Sequence, residues 1–129
     1  MTADGTTPES VTFAAPMPGL HPYTKFSLHA VDGAAGLFAL RSLEADVRLF
    51  LLDSSDGPGD YDPRLPAPAL DEIGAAGVAD VRVLVVANPA DDGIHLNLRA
   101  PLLVHRRTGR ALQVILDDQD YPLRARLGG

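Results

Sequence analysis

The chain has 129 residues, 46% hydrophobic but only 5% aromatic, with no tryptophan or cysteine, and 11 basic against 17 acidic residues give a net charge of -6. That length predicts one domain, the absent cysteines exclude disulfides and thiolate metal sites, and the negative charge disfavours phosphate backbones and suits a basic protein partner. Residues 1–10, small and polar with Gly5 and Pro8, read as a flexible N-terminal tail, leaving 11–129 as the domain. No basic and apolar leader opens the chain, and the longest apolar run, around Val81 to Ala87, is too short to span a bilayer. The expectation is a cytoplasmic protein that binds neither membrane nor nucleic acid directly.

Ser10 to Phe13 starts a first strand, and Pro16, Pro18, Gly19 and Pro22 impose a loop. Lys25 to Val31 alternates apolar and polar residues, Asp32-Gly33 signals a hairpin, and Leu37 to Leu43 returns. Arg48 to Asp53 carries a continuous apolar run, Leu49 to Leu52, expected for a strand covered on both sides. Ser54 to Ala67 is rich in Gly, Pro and Asp and reads as a loop. Pro68 to Ala75 is the one helix candidate: Pro68 suits the first turn, Leu70 and Ile73 share a face, and Gly74 or Gly77 ends it.

Val81 to Ala87 is rich in β-branched residues and predicts a central strand, followed by a connection at Asn88-Pro89 and Asp91-Asp92-Gly93. From Ile94 the strands alternate again, through Leu96 and Leu98, then Leu102 and Val104, with Pro101 marking a bulge or edge. Arg106 to Gly109 turns the chain into Arg110 to Leu116, and Leu123 to Leu127 adds a last edge strand. About eight short strands with hairpin-length turns and one short helix predict a mainly β fold, a small antiparallel barrel-like domain.

Chemistry is sparse. The four histidines, His21, His29, His95 and His105, form no metal-ligand spacing. His95 and His105 fall on strands that can be neighbours, so a two-histidine site is the one metal alternative, and it lacks further ligands. Asp117-Asp118-Gln119-Asp120 fails the calcium-loop spacing and reads as an acidic turn, a negative patch for a basic partner. No phosphate cradle or nucleophile elbow is present. Without a convergent nucleophile, base or metal set, no enzyme is expected, and no catalytic residue, cofactor or metal is assigned.

Several segments nevertheless share a pattern. Asn97-Leu98-Arg99-Ala100-Pro101-Leu102, Leu112-Gln113-Val114-Ile115-Leu116 and Tyr121-Pro122-Leu123-Arg124 resemble, in order and spacing, signature segments of the flagellar assembly factor FliW family. Met17-Pro18-Gly19-Leu20, Leu40-Arg41-Ser42-Leu43 and Tyr61 with Leu65-Pro66 are similar to the family's earlier elements. The family's aromatic-rich loop is here Asp53 to Asp60, with no aromatic residue, which implies a shallower partner groove. The resemblance implies a non-enzymatic β-barrel-like protein. It would bind newly made flagellin and the translational regulator CsrA, whose repression of flagellin mRNA it relieves. The candidate partner contacts are Glu44, Asp46, Asp60, Tyr61, Gln113, Asp117, Asp118, Asp120 and Tyr121. The alternative is a generic β-barrel interaction module that has lost these partners.

Overall fold

A computed structural model describes residues 9–57 and 59–126. Among the described residues nine strands form: β1 (Glu9–Phe13), β2 (Lys25–Ala30), β3 (Leu37–Ser42), β4 (Arg48–Asp53), β5 (Val81–Ala90), β6 (Gly93–Leu96), β7 (Leu102–His105), β8 (Arg110–Gln113) and β9 (Ala125–Arg126). Helix α1 (Ala67–Glu72) lies between β4 and β5. Seven strands close into a barrel in the order β4-β3-β2-β1-β8-β7-β5, with β5 pairing back onto β4. All pairings are antiparallel except β1 with β8. β6 and β9 extend β5 as a small second sheet.

The period-two alternation decides what goes inside. Val11, Phe13, Phe26, Leu28, Leu40, Leu51, Leu84, Leu102, Val104 and Ala111 fill the barrel, with Met17 from the first loop stopping one end. Phe13 and Phe26 meet edge to face, ring centroids 5.4 Å apart. The opposite parity of β5 is buried too. Val81 and its neighbour Leu103 pack under Ala69 and Ile73 of the α1 region, while Val85 and Ala87 pack under Leu96 and Leu98. The strand that reads as central is therefore covered on both faces. In β4 only Leu51 and Leu52 are fully buried; Leu49 and Phe50 are half-buried at the margins of the barrel core and the second layer.

Boundaries shift for identifiable reasons. The first strand, expected to start at Ser10, already includes Glu9, so both residues at the end of the expected tail are strand residues, opposite Leu28 and Ser27; residues 1–8 lie outside the described residues. The helix starts one residue before Pro68 and stops at Glu72, because Gly74 (φ 74°) closes it. The Gly74 N–H reaches the Asp71 carbonyl and the Ala75 N–H the Leu70 carbonyl, a Schellman ending. β5 runs on through Asn88-Pro89, where a connection is expected from sequence. Its bonds to β6 follow the parity of Val86, whose carbonyl accepts the Asn97 N–H, so the missing N–H of Pro89 faces the other way and costs nothing. The ladder of β8 ends at Gln113, but amides of Val114 and Leu116 still reach the carbonyls of Pro101 and Arg99.

Candidate functional site

Two segments far apart in sequence are clasped together. The loop before α1 brings Tyr61 edge-on to Tyr121, with ring centroids 4.8 Å apart. The Tyr61 hydroxyl donates to the Leu98 carbonyl at 2.7 Å, and the Tyr121 hydroxyl accepts from the Asp62 N–H at 3.2 Å. Burial, and then the neighbouring Tyr121, push the Tyr61 phenol well above its ordinary range, so it stays a donor at any physiological pH. The Gln119 amide grips the backbone of Arg64 at both ends: its oxygen accepts the Arg64 N–H (2.8 Å) and its nitrogen donates to the Arg64 carbonyl (2.9 Å). These bonds fix the turn that holds Asp117, Asp118 and Asp120, leaving all three carboxylate residues exposed. Asp60 is exposed beside Tyr61. Arg64 reaches Asp118 at 3.5 Å, but both side chains are mostly in water, and such a pair contributes about 0–1 kcal/mol.

Six of the nine candidates, Asp60, Tyr61, Asp117, Asp118, Asp120 and Tyr121, therefore belong to one clasp. The other three do not. Asp46 is exposed on the β3–β4 turn. Glu44, on the same turn, has one carboxylate oxygen accepting the N–H groups of Thr24 (3.0 Å) and Lys25 (3.2 Å). Gln113 points into the barrel mouth, where its amide donates to the Ala100 carbonyl at 3.1 Å. It lines a cleft of about 230 Å³ with Met17, Leu20, Leu49 and Val86. Asn97 is a turn former: its side-chain oxygen accepts the N–H groups of Arg99 and Ala100.

The Thr24 amide, followed by that of Lys25, holds the Glu44 carboxyl below its ordinary 4.5. A depressed carboxylate stabilises the fold above its unfolded pKa and loses that share as pH falls through the folded value. The melting temperature of the protein should fall as pH drops below 4.5. Glu44→Gln should flatten that fall, and a melting curve against pH that superimposes on the wild type would show that the tie carries no stability.

The two histidines considered for a metal are separated. His95 pairs with Asn88 and His105 with Val81, seven residues apart along β5, or about 20 Å at strand rise. His105 is buried and accepts the N–H groups of Arg107 and Thr108 through Nδ1; His95 Nε2 meets Asp92 at 2.7 Å. Among the described residues no cluster of three or more potential metal ligands exists. No helix among them is long and apolar enough to cross a membrane.

Gln119 and Arg64, which lock the clasp, escape a reading of the sequence because their bonds span 55 positions. The only local signal is that Gln119 interrupts a run of aspartates.

Comparison with known proteins gives one answer. The FliW protein family pattern matches residues 2–127. The flagellar assembly factor FliW of Thermotoga maritima is 32% identical over 117 residues, covering 88% of this chain and 78% of its own. The protein of that name from an Exiguobacterium species is 31% identical over 124 residues, covering 94% and 85%. A crystal structure of the flagellar assembly factor FliW superposes with a TM-score of 0.84 at 24% identity, over 91% of this chain and 84% of that one, and shares the barrel.

Proposed function

The chain belongs to the FliW family of flagellar assembly factors, and from that premise we propose that it acts, without catalysis, as a cytoplasmic binder of flagellin and antagonist of CsrA. In this reading free protein sequesters the regulator, and flagellin, while it waits for export, competes for the binder. The observation that carries the reading is the clasp: carboxylates of Asp117, Asp118 and Asp120 held exposed on a turn fixed by Gln119 and Tyr121. A rigid negative turn on a chain of net charge -6 suits a regulator whose own surface is basic enough to hold RNA.

The test is direct binding of purified CsrA and of flagellin to this protein at low salt. Failure of both at micromolar concentration would overturn the proposal. Replacing Asp117, Asp118 and Asp120 together by asparagine should slow association with CsrA about tenfold at low ionic strength, because steering depends on charge. The salt dependence of the association rate should flatten with it. An unchanged slope would place the contact elsewhere. One observation favours the second reading, a barrel module with other partners. The segment Asp53 to Asp60 forms a 3-10 turn at Ser54–Asp56 and offers no aromatic ring.

A further inference from the structure

The strand parity that buries Phe26, Leu28, Leu40 and Leu51 turns Ser27, His29, Arg41, Arg48 and Phe50 outward across β2, β3 and β4. α1 covers the outer side of β5 and β7, and β6 with its following loop covers β5 further on. On this third side the second layer reaches Leu37, Leu52 and the flank of Phe50, and leaves Arg41 and Arg48 exposed. The register sets Arg41 directly opposite Arg48, with Ser27 opposite Arg41 on the other flank. Like charges facing each other across strands are destabilising, and here no described carboxylate lies within 4.0 Å of either guanidinium.

The neighbouring acids are otherwise engaged or too far. The Glu44 carboxylate is tied to the amides of Thr24 and Lys25. Asp46 lines the same shallow depression of about 410 Å³ as Arg41, Ser42 and Arg48 without pairing with either arginine. Arg48 instead sits over the Phe50 ring, 5.1 Å from its centroid. Leu43, at the edge of this side, is 62% exposed. In a protein of net charge -6 the result is a cationic face with aromatic and aliphatic margins.

We propose that this face is a second docking surface, for an acidic segment of a protein partner. Two guanidinium groups match carboxylates in two-pronged geometry and would lose their mutual repulsion on binding. Phe50 and Leu43 offer contact to apolar residues between the acids. A nucleic acid fits less well, since its phosphates would meet the negative charge over the rest of the molecule. Because this face and the acidic clasp have opposite sign, they select partners of opposite charge. The proposal does not rest on which partner the clasp takes.

The probe is a fluorescent synthetic peptide, Glu-Glu-Leu-Glu-Asp-Phe-Glu-Glu, titrated with the full-length protein by anisotropy. Binding should weaken with salt. Arg41→Glu should weaken it about tenfold, the effect of removing and reversing one of a few exposed charge contacts. The same variant should melt no lower than the wild type, because it turns a like-charge pair into an opposite one. Arg107→Glu, an equal charge change on the β7–β8 turn, should leave binding intact. No peptide binding, equal losses in the two variants, or binding of a single-stranded oligouridylate in place of the peptide would each overturn the proposal.

Discussion

Leu84→Asp and Val85→Asp are each expected to leave the protein largely unfolded at room temperature. The two residues are adjacent in β5, point to opposite sides and are both fully buried. Leu84 faces the barrel interior, and Val85 faces the layer formed with Leu96 and Leu98. In a sheet with one solvated face, one of two neighbouring positions accepts a charge at little cost. Here either aspartate is stranded without a partner, at about 4–5 kcal/mol or more. That is comparable with the whole stability of about 5–15 kcal/mol expected of a small domain. Circular dichroism of the two variants checks it. A Val85→Asp protein with a native melting temperature would mean that the second layer does not seal this side of β5.

The central place of β5 is legible in the sequence from the β-branched residues of Val81 to Ala87, which only Arg82 interrupts. Cover on both sides, expected for β4 from its continuous apolar run, holds only in part. Its run Leu49 to Leu52 is wholly apolar; Leu52 is buried under the second layer, while Phe50 at the margin of that layer and Leu49 at the margin of the barrel core are half-buried. Apolar content says that a residue can be buried; only the topology says whether something arrives to bury it. The helix boundary and the passage of β5 through Pro89 are of another kind. They depend on backbone hydrogen bonds, Gly74 to Asp71 and Asn97 to Val86, which leave no trace in hydrophobic periodicity.

The candidate site divides in the same way. Asp117, Asp118 and Asp120 are visible as an exposed acidic turn from composition alone, and Tyr61 and Tyr121 from family resemblance. That the tyrosines meet, and that Gln119 clamps Arg64, follows from contacts 55 or more positions apart. Glu44 and Gln113 have the side chains of a partner surface, and both also make bonds within the molecule. Glu44 bonds to the start of β2, and Gln113 bonds to the Ala100 carbonyl. A sequence shows which groups can bond, not which have already done so.

Gly109→Ala should lower the melting temperature by about 10 °C, from a loss of about 3 kcal/mol. Gly109 ends the β7–β8 turn with φ 75°, where any side chain costs about 1–2 kcal/mol. An added Cβ would also run into the Ser10 carbonyl oxygen of β1, a backbone atom that cannot rotate aside. The Gly109 carbonyl meanwhile accepts the Thr12 N–H at 3.0 Å, so turn and strand are in contact at the parallel β1–β8 seam that closes the barrel. Gly74→Ala separates the two causes: its φ is 74°, but a Cβ there meets nothing within 4 Å. It should cost only the conformational part. Gly77→Ala, extended at φ -172° and open, should be neutral or slightly stabilising. Thermal unfolding of the three variants orders them, and a Gly109→Ala protein that melts together with Gly74→Ala would show that β1 does not press on this turn.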